Sequence, residues 1–106
     1  MITKRQIRQF GERLGREFHP RKVILFGSYA YGRPRADSDV DVLVIMPLEG
    51  SPVDKSVEIR LKLQPAFPVD ILVRSPAKMA ERLAMGDDFI RDILEKGTVL
   101  YEATHC

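Results

Sequence analysis

Apolar residues recur in the first part of the chain at the spacing of one helix face. They occupy every third or fourth position: Ile7, Phe10, Leu14 and Phe18. Thr3 followed three positions later by Gln6 matches a helix N-terminal capping box. His19 precedes a proline, and a residue in that position disfavours helical backbone. The pattern therefore predicts a helix over residues 4–18.

Short apolar runs bounded by turn residues predict the strands. Three such runs cover residues 22–26, 40–46 and 69–73, and a fourth, shorter strand is predicted over residues 98–101. Residues 28–32 follow the first run directly and have the length of one helical turn. The strands are thus separated by segments long enough to hold helices.

A helical pattern lies between the second and third strands. Val53, Val57 and Leu61 recur every four positions among charged residues. This spacing predicts an amphipathic helix with these three residues on its apolar face. Pro65 and Pro68 end the helix before the third strand begins.

Two more helices are marked by their start and stop signals. Ser75-Pro76 is an N-cap followed by proline at the first helical position, and this helix is predicted to run to about Leu83, before Gly86. Asp87 caps a last helix that stops at Gly97. The full order, α-β-α-β-α-β-α-α-β, predicts an α/β fold with helices packed on a small sheet. It leaves the strand directions open.

Length and composition indicate one globular domain over residues 1–106, with 44% hydrophobic and 30% charged residues. The sequence contains no run of ~18 to 20 apolar residues and no signal-peptide pattern, so we expect a cytoplasmic protein without membrane contact. Its one cysteine, Cys106, is the last residue, which excludes an internal disulfide and a cysteine metal cluster.

Charge is distributed unevenly along the chain although the formal net charge is only +2. Residues 1–35 hold nine Lys or Arg against two Glu, whereas residues 36–106 hold eight against thirteen acids. A basic segment beside an acidic site can attract a nucleoside triphosphate, a nucleic acid or an acidic protein surface. For the first helix alone, a solvated surface is the simpler explanation.

The acids with the clearest chemical pattern are Asp39 and Asp41. They lie two residues apart at the start of a predicted strand, so their side chains share one face. Asp70 joins them if the third strand lies beside the second. Carboxylates this close repel one another unless they take up protons or bind cations. Oxygen ligands alone favour Mg²⁺, with Mn²⁺ as a substitute, and two such ions can assist an in-line phosphoryl displacement.

Gly27 and Ser28 stand between the first strand and the predicted helical turn. Glycine lets backbone pass close to phosphate oxygens, and serine at the start of a helical turn presents a hydroxyl and an amide. A Gly-Ser pair by itself has no diagnostic value. Its position after a strand, eleven residues before the first of two alternating acids, indicates a phosphate-binding turn.

The segments Gly27-Ser-Tyr-Ala-Tyr-Gly32 and Ser38-Asp-Val-Asp-Val-Leu-Val44 resemble the signature of the DNA polymerase beta-like nucleotidyltransferase superfamily. The short chain is similar to the minimal, MNT-type members. The resemblance implies that family's fold, a small mixed β-sheet with helices packed on it. It also implies that the chain is a nucleotidyltransferase.

The resemblance also implies roles for particular residues. The three acids that bind the metal ions and act in catalysis would be Asp39, Asp41 and Asp70. Gly27 and Ser28 match the residues that hold the triphosphate. Minimal members commonly have Arg where this chain has Tyr31. The positive charge that is missing at this position is expected from Arg33 or Arg35.

Minimal members resemble antitoxins that pair with a HEPN-type toxin and add AMP to one of its tyrosines. The expected function is thus Mg-dependent transfer of AMP from ATP to a partner's hydroxyl. Without a second domain to hold it, direct binding of nucleic acid is not expected. One alternative is a non-catalytic antitoxin that masks the toxin, for which the Tyr31 departure is the best support. An antibiotic nucleotidyltransferase is a third reading, which the short length disfavours.

Overall fold

A computed structural model describes residues 2–103 of the chain, and Cys106 lies outside the described residues. Five helices and four strands occur in the predicted order: α1 Lys4–Phe18, β1 Lys22–Phe26, α2 Ser28–Tyr31, β2 Val40–Ile45, α3 Pro52–Leu63, β3 Val69–Arg74, α4 Pro76–Ala84, α5 Asp88–Lys96 and β4 Thr98–Glu102. The last three strands each end within one residue of the predicted position.

Side-chain caps fix where the helices begin. The Thr3 hydroxyl accepts from the Gln6 amide, and the Gln6 side chain accepts from the Thr3 amide, which completes the predicted capping box. Ser75 and Asp87 accept in the same way from amides three residues ahead, at the starts of α4 and α5. Local sequence signals therefore determine these boundaries before any tertiary contact is made.

The four strands form one mixed sheet in the order β3-β2-β1-β4. β2 and β3 are parallel, whereas β1 runs antiparallel to both β2 and β4. The α3 crossover connects the parallel pair, as a parallel connection requires. In this register Asp41 is paired with Asp70 on one side and with Phe26 on the other.

Helices cover both faces of the sheet. Alternate strand residues such as Val40 and Val42 pack with residues of α1 and α3 in the larger core. The opposite set, which includes Ile24, Phe26 and Leu43, packs under α4 and α5. Asp41 belongs to this second set of alternating positions, so its carboxylate points to the α4/α5 side.

Two glycines allow α1 to approach β4 closely. A β-carbon on Gly11 would collide with the Leu100 side chain, and one on Gly15 would collide with the Tyr101 ring. Both glycines are buried in the helix, where glycine costs up to ~1 kcal/mol relative to alanine. The close packing of α1 on β4 compensates for that cost.

The apolar face expected for α3 is not the face that packs. Val53, Val57 and Leu61 are 69%, 48% and 69% exposed, whereas Ile59 and Leu63 are almost completely buried. The prediction of a helix here is confirmed, but the assignment of its apolar face is wrong. Val53, Val57 and Leu61 instead form an exposed row, the α3 stripe. Among residues 2–103, no helix is both long and apolar enough to cross a membrane.

Candidate active site

Gly27 forms the junction between β1 and the short helix α2. Its φ of 76° and ψ of −156° lie in a region that residues with a β-carbon avoid. Its carbonyl accepts from the amides of Ala30 and Tyr31 at 3.0 and 3.1 Å, which closes the turn. A β-carbon here would also collide with Oδ2 of Asp41. The predicted phosphate turn and one predicted acid are therefore in contact.

The three acids lie at one end of the parallel strand pair. Asp41 is the second residue of β2 and Asp70 the second residue of β3, and the two are directly opposite in the parallel register. Asp39 immediately precedes β2. The amide of Val40 donates to the Pro68 carbonyl at 3.1 Å, which aligns the two strand starts. Asp41 is half-buried, while Asp39 and Asp70 are exposed.

The pKa of Asp41 is raised above its ordinary value of 3.8. Partial burial is the main cause, and the negative charges of Asp70 and Asp39 act in the same direction. The acids are therefore close enough to repel one another. Ionised Asp41 is therefore less favourable than a free carboxylate, and a cation beside it would offset that cost.

Within residues 2–103, no group of three or more carboxylate, imidazole or thiol side chains stands in an arrangement that would enclose a metal ion. A magnesium site does not need one, because Mg²⁺ usually keeps several waters and binds one or two carboxylates together with substrate phosphates. The Asp41–Asp70 pair, with Asp39 beside it, fits that donor set. Its mutual repulsion is what a bound cation would relieve.

The cationic residues expected at the site lie in the loop between α2 and β2. Arg33 and Arg35 are both exposed, and Tyr31 is 46% exposed. The backbone of Arg35 is tied down: its amide donates to the Ser38 hydroxyl at 2.8 Å and its carbonyl accepts from the Ser38 amide at 3.0 Å. This turn leads the chain into Asp39.

Sequence patterns did not reveal two features beside the acids. The Phe89 ring packs edge-on against Phe26, with ring centroids 5.7 Å apart, although Phe89 remains 55% exposed. Arg74, Lys78 and Arg82 line a groove on the same side of the sheet. The spacing of four between Lys78 and Arg82 on α4 was the available signal for the groove.

The sequence profile of the nucleotidyltransferase domain family matches residues 5–101, from the second residue of α1 to the fourth residue of β4. The chain belongs to this family. The predicted resemblance is therefore confirmed, and the protein is a nucleotidyltransferase. Enzymes of this family act on nucleoside triphosphates with divalent metal ions, in keeping with a phosphate-sized turn against paired acids.

Individual proteins resemble this nucleotidyltransferase along nearly its full length. MJ0604 of Methanocaldococcus jannaschii, provisionally named a protein adenylyltransferase, is 30% identical over 105 residues, which are 95% of this chain and 100% of MJ0604. The match extends across both chains almost entirely.

Solved structures share the fold. A provisionally named nucleotidyltransferase of Sulfolobus solfataricus superposes with a TM-score of 0.62 at 17% identity, covering 92% of this chain and 78% of the other. A mutant form of the MntA-HpeT toxin-antitoxin pair gives a TM-score of 0.54 at 16% identity, covering 97% and 76%. The predicted mixed sheet with packed helices is thereby confirmed.

Proposed function

We propose that this nucleotidyltransferase transfers AMP from ATP to a hydroxyl of a partner protein in the cytoplasm. The proposed acceptor is a tyrosine of a HEPN-type toxin, so that the chain acts as an antitoxin. The contact between Gly27 and Asp41 is the observation that carries the proposal, because it puts the strand-to-helix turn at Gly27 against an acid whose negative charge a cation would stabilise. The adenylyltransferase name of MJ0604 and the toxin-antitoxin pair with the same fold support a protein acceptor.

The proposed reaction is an in-line displacement. The acceptor oxygen attacks the α-phosphorus of ATP, a new oxygen–phosphorus bond forms, the bond to the β-phosphate breaks, and pyrophosphate leaves. Asp70 is exposed at the strand start and takes the proton of the attacking hydroxyl. Asp41 lies between Asp70 and Gly27. We place the meeting point of nucleotide and acceptor there.

Magnesium, with Mn²⁺ as a substitute, is proposed to bind at Asp39, Asp41 and Asp70. When bound, two such ions would neutralise charge on the attacking and leaving oxygens. The acids hold the ions and restrict where the α-phosphorus can lie. Because Asp41 is already disfavoured as a free anion, cation binding is coupled to its ionisation.

The triphosphate is proposed to bind at Gly27 and Ser28. The absent β-carbon of Gly27 leaves the backbone accessible to phosphate oxygens, and Ser28 adds a hydroxyl and an amide. Arg33 and Arg35 are exposed in the adjoining loop and are proposed to supply the charge that Tyr31 lacks. Because both side chains are already exposed, neither has to leave the protein interior to contact a phosphate.

A second candidate function is a masking antitoxin that binds the toxin without modifying it. The α3 stripe favours this reading, because three exposed apolar residues on one helix face are a typical protein contact surface. The same stripe also serves an enzyme that must hold its protein substrate. The variant Asp39→Asn with Asp41→Asn separates the two functions: a masking antitoxin still neutralises the toxin, and the enzyme does not.

Thermal unfolding with Mg-ATP tests the nucleotide site. Ligand at about 100 times its dissociation constant should stabilise the protein by ~2.7 kcal/mol. We expect a higher melting temperature with millimolar Mg-ATP, a smaller rise with ATP and a chelator, and no rise for the double variant Asp39→Asn with Asp41→Asn. Equal melting temperatures with and without Mg-ATP would contradict the proposal.

A further inference from the structure

A groove of about 630 Å³ lies beside the edge strand β3, on the sheet face that carries Asp41 and Asp70. It is bounded by β3, α4, α5 and the start of α3. This volume is large enough to hold several side chains of a bound ligand. We call it the cationic groove and define it by the lining residues that follow: Arg74, Lys78, Arg82, Leu72 and Phe89.

The charge of the groove is positive. Lys78 and Arg82 lie four residues apart on α4 and therefore on one helix face, and Arg74, at the end of β3, joins them in the lining. Asp87 is the one acid in the lining and pairs with Arg82 at 2.8 Å. Lys78 pairs with Glu81 on the helix surface at 3.0 Å. The Lys78–Glu81 pair is exposed and contributes little, so an anionic ligand can replace Glu81, whereas the Asp87 side chain is only 14% exposed and holds Arg82.

The groove leads to the acids. Asp70, Leu72 and Arg74 alternate along β3 and therefore share a face, with about 6.5 to 7 Å between successive members. Phe89 connects the two regions from the other side, since its ring packs on Phe26, the register partner of Asp41. An extended segment in the groove reaches the acids within a few residues.

We propose that the cationic groove binds the acceptor protein as an extended segment in which acidic residues flank the tyrosine that receives AMP. The inference rests on the proposed function and adds the chemistry of the acceptor. Arg74 and Lys78 pair with the flanking carboxylates, and Leu72 and Phe89 contact the aromatic ring. A single aromatic among aliphatic walls favours a protein segment, because single-stranded nucleic acid binds on successive aromatic platforms.

The test measures binding of a fluorescent random copolymer of glutamate and tyrosine to the full chain by anisotropy. Lys78→Glu removes one cation of the groove. It places glutamate three residues after the N-cap Ser75, a favourable helix position, so the variant folds. Lys4→Glu is the matched control, since it makes the same charge change on the basic helix α1.

We expect Lys78→Glu to weaken copolymer binding about tenfold and Lys4→Glu to leave it nearly unchanged. Phe89→Ala should weaken binding of the copolymer but not of polyglutamate, which has no aromatic ring. Equal losses in Lys78→Glu and Lys4→Glu, or no loss in Lys78→Glu, would overturn the inference. The inference would also be overturned if an oligothymidylate bound more tightly than the copolymer and Lys78→Glu abolished that binding.

The outcome is independent of the proposed catalysis. The Mg-ATP-induced shift in melting temperature of the same variants reports on the nucleotide site and should match the shift of the parent. If the copolymer binds in the groove but Mg-ATP does not shift the melting temperature, the groove proposal is supported and the proposed AMP transfer is rejected. If Mg-ATP shifts the melting temperature normally but Lys78→Glu does not change copolymer binding, only the groove proposal is rejected.

Discussion

The α-carbon of Gly27 lies against the carboxylate of Asp41, so closely that a side chain at position 27 and the present position of Asp41 exclude each other. Gly27 directly follows β1 and Asp41 belongs to β2, the two strands pair antiparallel, and the contact forms where β1 ends and β2 begins. It joins the proposed phosphate-binding turn to an acid of the proposed metal site. The geometry of the whole candidate site depends on this contact.

Gly27→Ala should destabilise the protein by about 1 to 3 kcal/mol, the usual cost of forcing a residue with a β-carbon into this backbone region. The collision with Asp41 acts in the same direction. Chemical denaturation gives the free energy of unfolding. Gly50→Ala is the control, because no atom lies within 4 Å of its added β-carbon. Equal stability of the two variants would refute the contact.

Asp41→Asn should raise the melting temperature at pH 7 in the presence of a chelator. The raised pKa of Asp41 means that its protonated form is favoured in the folded state. That contribution is fully present below pH 3.8, the ordinary value, and is lost as the pH rises through the raised pKa. The advantage of Asn should therefore disappear at low pH.

Magnesium provides the complementary measurement. It should raise the melting temperature of the parent at pH 7 and have less effect on Asp41→Asn, which has lost a ligand. Asp92→Asn, on the exposed side of α5, is the control and should respond to magnesium as the parent does. A parent that melts identically with magnesium and with chelator would count against a cation at these acids.

Ile59→Ala should cost about 2 to 5 kcal/mol, because Ile59 is completely buried against the sheet. Val57→Ala, in the same helix, should change stability by less than about 0.5 kcal/mol, since Val57 is 48% exposed. Urea denaturation of both variants measures the difference. If Val57→Ala were the more damaging change, the orientation of α3 described above would be incorrect.

Gly15→Ala tests the close packing of α1 on β4. In an exposed helix this substitution stabilises by up to ~1 kcal/mol, because alanine is the better helix former. Here the added methyl group meets the Tyr101 ring, so we expect a loss of stability instead. The free energy of unfolding of the variant is the measurement. An increase over the parent would show that α1 lies further from β4 than described above.

The element order followed from local signals, whereas the orientation of α3 did not. Capping residues and apolar periodicity are properties of neighbouring residues, so the boundaries could be predicted. Val57 and Ile59 lie about 200° apart at 100° per residue, so α3 has apolar residues on opposite sides. Only tertiary packing decides that Ile59 is buried and Val57 exposed.

The candidate site was partly predictable for the same reason. The alternation of Asp39 and Asp41 indicated a shared face, but their meeting with Asp70 depended on a parallel β2–β3 pair, and the chain order left strand direction open. The contact between Gly27 and Asp41 depended on the antiparallel β1–β2 register. The assignment of metal and nucleotide to particular residues stays a prediction.

The most direct measurement is transfer of label from ATP carrying radioactive α-phosphorus to the purified protein proposed as the toxin partner, with magnesium present. We predict a labelled toxin with the parent chain and at least a hundredfold slower labelling with Asp39→Asn and Asp41→Asn combined, a loss of about 2.7 kcal/mol of transition-state stabilisation. Circular dichroism should show that the double variant is folded. Labelling of the toxin by the double variant at the parent rate would contradict the central claim.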